Sequence, residues 1–214
     1  MRNFLKTIFY SLAYRFYSAG QELFLKKRDM TLRNKVKVGE KSLFYSTTDI
    51  VNLSNKPENI EIGKNCHIYG LLIVYGYSGS IKIGDNCSLS EYSRIVSGKK
   101  VTIGSRVMIA HNVNILDNNS HPIDARMRHE DFINAYSIGM QEYDLSAKEI
   151  VIEDDVWIGF NSIIMKGVKI GKGAIIGAGS VVTKDVEPWT VNAGNPLRCL
   201  RKLEPVDVEI KKHS

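Results

Sequence analysis

Histidine titrates near neutral pH, so it is the side chain best fitted to take a proton from a hydroxyl nucleophile. His121 stands in Asn119-Ser120-His121-Pro122, at the head of an irregular segment covering residues 117–148. The plain alternative is a histidine on the surface of a loop. Asp117, four residues earlier, could hold an imidazole tautomer, bind acceptor hydroxyls or simply form a turn. Metal chemistry finds less support. The cysteines at 66, 87 and 199 are too scattered for a disulfide framework or a zinc knuckle. Small buried thiols in a reducing compartment are the simpler reading.

These residues need a scaffold, and the composition limits which one. A chain of 214 residues is one domain, or one and a fraction. Hydrophobic residues at 43% and charged residues at 24% are those of a globular protein. A disordered, collagenous or polytopic membrane protein is excluded. The net charge of +6 suits an anionic partner: a phosphorylated cofactor, a nucleic acid or an acidic membrane face. No apolar run reaches the roughly 18 residues of a membrane span. Lys6 and Arg15 interrupt the apolar stretch at 4–19, and no small-residue cleavage site follows it, which argues against a secretory signal.

Residues 1–37 form an N-terminal helical segment in this reading. Leu5, Ile8, Phe9, Leu12, Phe16, Ala19 and Leu23 recur at spacings of three and four, as on an amphipathic helix. Arg2, Lys6, Arg15, Lys26, Lys27 and Arg28 make the segment basic. Such a helix packs on its own domain, packs on a sister subunit, or makes peripheral contact with an anionic membrane.

Beyond residue 38 the period changes to six. Ile152, Ile158, Ile164, Ile170, Ile176 and Val182 follow one another without a slip. A small or β-branched residue stands four places after each, from Val156 and Ser162 to Ser180 and Val186. The same two tracks recur around Ile103, Ile109 and Ile115, around Ile83, Leu89 and Ile95, around Ile62, Ile68 and Val74, and more weakly around Val38, Phe44 and Ile50. A helix cannot hold one face at period six. A chain that turns a corner every six residues can, with one aliphatic side chain inward per short strand. Three strands close a coil of 18 residues, so the sequence counts out about six coils of a triangular prism over residues 38–203. Glycines 63, 84, 104, 159, 171 and 177 fall just after the aliphatic position, where a corner tolerates no bulk. The hexads vanish between Ile115 and Ile152, and a long loop inside a regular solenoid is usually functional. Residues 204–214 read as a charged C-terminal tail.

Three further motifs sharpen this reading. They are Val156-Trp157-Ile158-Gly159, Ile176-Gly177-Ala178-Gly179-Ser180-Val181-Val182-Thr183-Lys184-Asp185, and Ala193-Gly194-Asn195-Pro196-Leu197-Arg198. With the hexads, they resemble the hexapeptide-repeat acyltransferases, closest to the branch of maltose, galactoside and surface-polysaccharide O-acetyltransferases. The resemblance implies an all-β fold, a left-handed parallel β-helix; the general rule for parallel crossovers would favour the opposite hand. It implies an acetyltransferase that moves an acetyl group directly from acetyl-CoA to a saccharide hydroxyl, with His121 of the His-Pro pair as general base and no metal. A surface polysaccharide such as O-antigen or capsule is the expected product.

The resemblance also places the donor. Trp157, Gly159 and Phe160 match the segment lining the channel for the pantetheine arm, and a backbone N–H near Gly159 would face the developing oxyanion. Relatives often carry Ser where Phe160 stands, so a hydroxyl role is lost there. Ala178 matches the residue whose backbone bonds the pantetheine amide. Thr183, Lys184, Arg198 and Arg201 match positions at the nucleotide end, where cations make strong charge-assisted bonds to phosphate. Each of these cations has a solvated surface role as its alternative. Gly98 falls by register where the family often has an acceptor-binding Asp, against a maltose-like or galactoside-like acceptor. Asp124, Arg126, Arg128, His129, Glu130, Tyr136 and Tyr143 are candidates for closing over the acceptor. Most relatives are homotrimers with coenzyme A between subunits, acting in the cytoplasm, here with a possible inner-membrane contact through the basic helix.

Other classes fit less well. β-Helix carbonic anhydrases bind zinc through histidines, two of them five apart, and no pair among His67, His111, His121 and His129 has that spacing. A non-catalytic scaffold would not need the His-Pro pair and donor motifs. No nucleic-acid motif appears, and the basic residues are dispersed. N-acetylation of an amino sugar is the nearest competitor.

Overall fold

The computed structural model describes residues 2–137, 139 and 141–206; of the first sixteen residues, only Tyr14 and Arg15 have described side chains. The chain is a left-handed parallel β-helix of triangular section. Its first face stacks Lys37–Val38, Ile60–Ile62, Ile81–Ile83, Val101–Ile103, Ile150–Ile152 and Lys169–Ile170. The second stacks Leu43–Phe44, His67–Ile68, Ser88–Leu89, Met108–Ile109, Trp157–Ile158, Ile175–Ile176 and Thr190–Ala193, and ends on the antiparallel strand Arg198–Lys202. The third stacks Asp49–Asn52, Leu71–Val74, Arg94–Ser97, Asn114–Leu116, Ile163–Ile164 and Val181–Val182.

The six-residue period is the period of these faces. Ile62, Ile83, Ile103 and Ile152 are register partners on the first face, and all are buried. Ile68, Leu89, Ile109 and Ile158 do the same on the second. Burying each such side chain is worth about 1.5–3 kcal/mol. The small track sits inside the corners, and its hydroxyls stitch coil to coil. Ser93 Oγ donates to the Ala110 carbonyl at 2.6 Å and accepts from the Val113 amide at 3.0 Å.

The corners make two separate demands. A Cβ on Gly63 would lie 2.6 Å from the Gly84 carbonyl carbon, and one on Gly84 would lie 2.7 Å from that of Gly104. These glycines serve close approach. Left-handed backbone falls elsewhere, on Lys41, Asn65, Asn86, Arg106 and Asp155 at one corner and on Tyr92, Asn112 and Asn161 at another. Asparagine tolerates that region better than most residues.

Helix α1 (Arg2–Arg33) precedes the first coil. Its last turn closes the open end of the prism, as solenoid ends require. Leu32 and nearby Val36 join the buried core. Arg28 donates to the carbonyls of Tyr45 (2.9 Å) and Thr48, and Arg33 to that of Ser42 at 2.8 Å. The side chains of Leu5, Ile8, Phe9, Leu12 and Phe16 from the expected amphipathic face lie outside the described residues, as does the tail from 207 onward. Among the described residues, no helix is long and apolar enough to cross a membrane.

Candidate active site

The long insertion leaves the third face after Leu116 and rejoins the first face at Ile150. Asp117 fastens its neck. This carboxylate is fully buried and accepts five hydrogen bonds, from Ser97 Oγ (2.7 Å), the amides of Gly98 (2.7 Å), Lys99 (2.9 Å) and Lys100 (2.8 Å), and Asn118 Nδ2 (2.8 Å). None of these partners is His121. The Asp117 carbonyl accepts from the Lys148 amide at 2.7 Å, and the Asn119 amide donates to Leu145, so the two ends of the insertion are zipped together. Asp117 therefore anchors the loop and does not orient the imidazole.

Just above the neck the chain turns sharply. Asn118 Oδ1 accepts from the Ser120 amide, Ser120 takes positive φ, and the His121 amide donates to Asn119. The turn sends the His121 side chain outward, 63% exposed. The insertion is not all loop: it carries α2 (Ala125–Ser137). Asp124 caps this helix by accepting from the amides of Arg126 (3.0 Å) and Met127 (2.9 Å). Arg128 Nη1 binds the carbonyls of Pro122 and Ile123. These two acceptor candidates thus hold the helix in place.

The helix delivers a residue that the sequence reading missed. Asp131 Oδ2 lies 2.8 Å from His121 Nδ1, and its side chain is only 15% exposed. Hydrogen bonding to a carboxylate assigns the ring proton to Nδ1 and leaves the Nε2 lone pair free. The available signal was the aspartate N-cap before a helix-forming run, which places Asp131 two turns in.

A groove of about 480 Å³ lies where the insertion meets the prism, lined by Tyr77, Ser78, Gly98, Lys99, Glu142, Tyr143, Asp144, Leu145 and Ala147. Partial burial, then the charge or dipole of Tyr75, Glu142 and Asp131, pushes the Tyr77 phenol up to about 12. Burial also raises Tyr75, helped by Asp117 and Asp131. Both phenols are therefore neutral hydrogen-bonding groups at neutral pH. Gly98 forms part of the floor; a Cβ there would sit 3.3 Å from the Tyr75 ring, and its amide is committed to Asp117.

The expected donor residues lie on other parts of the prism. Trp157 and Phe160 are exposed on and just after the second face, beside exposed Met108. The Gly159 amide donates to Ile176 at 2.7 Å, so it is not free for an oxyanion. A Cβ on Gly159 would lie 2.7 Å from the Ala178 nitrogen. Thr183 and Lys184 line a cavity of about 300 Å³ with Asp185, Val186, Glu187, Thr190, Asn192, Pro196, Leu197, Cys199 and Lys202. Arg198 and Arg201 are exposed on the same terminal strand but do not line it. Lys202, unforeseen from the sequence, lines it. No hydrogen bond or ion pair among the described residues joins His121 to the Trp157–Phe160 segment. His67 instead meets the Tyr45 hydroxyl at 2.7 Å, and His111 meets Glu91 at 3.0 Å.

Known proteins share this architecture. Residues 149–184 match the family model described as bacterial transferase hexapeptide (six repeats). A galactoside O-acetyltransferase of Lactococcus lactis is 32% identical over 153 residues, which cover 72% of this chain and 68% of that protein. The chain belongs to the hexapeptide-repeat transferase family. A galactoside O-acetyltransferase of Escherichia coli is 36% identical over 135 residues, covering 63% of this hexapeptide transferase and 60% of its relative. The chain spans about 60% of the length of the first curated relatives that it matches. A hexapeptide-repeat acetyltransferase of Vibrio cholerae, solved in complex with acetyl coenzyme A, superimposes with a TM-score of 0.53 at 29% identity, covering 84% of this chain and 78% of that one.

Proposed function

We propose that this hexapeptide transferase moves an acetyl group from acetyl-CoA to a hydroxyl of a saccharide, in the assembly of a surface polysaccharide such as O-antigen or capsule. The observation that carries the reading is the exposed imidazole whose Nδ1 is held by Asp131, on the insertion whose residues Glu142 to Ala147 also line a groove. Its free Nε2 takes the acceptor hydroxyl proton as the oxygen attacks the thioester carbonyl. The C–S bond then breaks, and the imidazolium returns the proton to the departing coenzyme A thiolate. Asp131 stabilises the imidazolium and keeps Nε2 aimed at the acceptor.

Acetyl-CoA suits the residues present. Lys184 and Lys202 flank one cavity, apt for its phosphates, and exposed Trp157 and Phe160 offer an apolar track for the pantetheine arm. In this reading the backbone of exposed Ala178 bonds the pantetheine amide. A homotrimer would unite the two halves of the site. The insertion leaves at the corner between the third and first faces, whereas Phe160 follows the second face. Adjacent prisms can bring the insertion of one beside the Trp157–Phe160 segment of the next. The outward residues of the first face, including Lys82 paired with Glu61 and Lys169 paired with Glu153, suit solvent. A donor of this kind puts the reaction in the cytoplasm.

Calorimetric titration with coenzyme A and acetyl-CoA tests the donor, followed by acetyl release assays against galactosides and polysaccharide fragments. Micromolar donor binding with turnover on a saccharide supports the reading. A folded protein that binds neither form of coenzyme A overturns it.

A further inference from the structure

We propose that α1 is a membrane-docking arm whose apolar stripe seats on an anionic lipid surface. The inference stands apart from the acyl-transfer reading and can fail without it. At 1.5 Å per residue, the 32 residues of α1 span about 48 Å, yet the prism holds only its last turns. Every described side chain from Tyr14 to Lys27 is exposed.

The stripe points the wrong way to pack on its own prism. Leu32 is 4% exposed and faces the first coil. Leu23 stands nine residues earlier, half a revolution away at 3.6 residues per turn, and is 68% exposed. Met30, seven residues after Leu23 and so on its side, is 66% exposed. The sequence extends that stripe toward the N-terminus at three- and four-residue spacing through Ala19, Phe16, Leu12, Phe9 and Leu5.

Charge selects the occupant. The first 21 residues contain Arg2, Lys6 and Arg15 and no acidic residue. Parallel copies packed through this stripe would bring their Arg15 side chains together with no carboxylate before Glu22, which already pairs with Lys26 at 2.7 Å. An anionic bilayer instead neutralises the cations and accepts the apolar stripe. With no helix fit to cross a membrane among the described residues, α1 lies on the surface.

Flotation of the full chain with phosphatidylcholine vesicles, with and without phosphatidylglycerol, tests this. Binding should need phosphatidylglycerol and weaken in high salt. Arg15→Gln should lower the affinity roughly fivefold. Leu23→Asp with Met30→Asp should abolish binding, whereas Ser18→Asp with Gln21→Asp, on the opposite side, should retain most of it. All variants should keep the wild-type melting temperature. Absence of wild-type binding overturns the proposal, as does binding indifferent to the stripe. A stripe variant that changes the solution mass, in a protein that ignores vesicles, would overturn it in favour of a second copy.

Discussion

His121 and Asp131 stand ten residues apart in the chain and 2.8 Å apart in space, because a helix folds back over the turn that presents the imidazole. One residue is exposed and the other largely shielded, which suits a base that must meet substrate and a carboxylate that must not. His121→Ala should lower turnover by about 10²–10⁴-fold and leave acetyl-CoA binding nearly intact. Asp131→Asn, which keeps the shape and removes the charge, should lower kcat by about 10²-fold with the KM for acetyl-CoA unchanged. Steady-state kinetics beside calorimetric binding check both. Equal losses in binding and turnover would make Asp131 a structural residue of α2.

Asp117 carries the opposite expectation. Asp117→Ala would take the acceptor from the amides of Gly98, Lys99 and Lys100 at the neck of the insertion, while Ser97 Oγ keeps its bonds to Ser80. The cost should be about 3 kcal/mol or more, read as a lower urea midpoint and a melting temperature lower by about 10 °C. Unchanged stability with lost activity would return Asp117 to the catalytic role first considered for it.

What the sequence could reveal follows from what repeats. Ile103, Ile109 and Ile115 expose the coil because each inward side chain recurs at fixed spacing in a regular structure. The corners were only half legible: glycine signals lack of room, but the left-handed turn falls on residues as unlike as Lys41, Asn86 and Arg106, whose types carry little signal. The insertion was legible as an interruption and opaque inside. Asp117 and Asp131 are both carboxylates near His121 in the chain, and only the folding of α2 decides which one meets the ring. The same limit appears at Lys202, whose place beside Lys184 depends on a terminal antiparallel strand outside the hexad pattern.

Two glycine variants separate close packing from helical propensity. Gly84→Ala would put a methyl 2.6 Å from Ser105 Oγ and 2.7 Å from the Gly104 backbone. It should cost about 1–3 kcal/mol. Gly20→Ala, with nothing within 4 Å, should leave the prism unchanged and strengthen α1 by up to about 1 kcal/mol. Urea unfolding reads the first, and helical circular dichroism the second.

The partly buried Tyr77 should make the fold sensitive to alkali. Its phenol ionises near pH 12 in the folded protein and near 10 in the unfolded chain. The unfolded state loses that proton first, so stability is full below pH 10 and declines between pH 10 and 12. Tyr77→Phe should flatten this decline in part, since Tyr75 is shifted the same way. Urea midpoints at pH 9, 10 and 11 measure the difference, and parallel slopes in the two proteins would refute it.

The donor end offers a choice between two sides of one strand. Lys184 and Lys202 share a cavity, whereas Arg198 and Arg201 are exposed beyond its lining. A charge-assisted bond to phosphate contributes about 1.5–3 kcal/mol. Lys184→Ala and Lys202→Ala should therefore each weaken coenzyme A binding by about tenfold or more in calorimetric titration. Arg201→Ala should change it by less than about threefold, as expected of an exposed cation. If Arg201→Ala loses binding and the lysine variants keep it, the nucleotide lies across the outer side of the terminal strand. The cavity beside Lys184 is then not its seat.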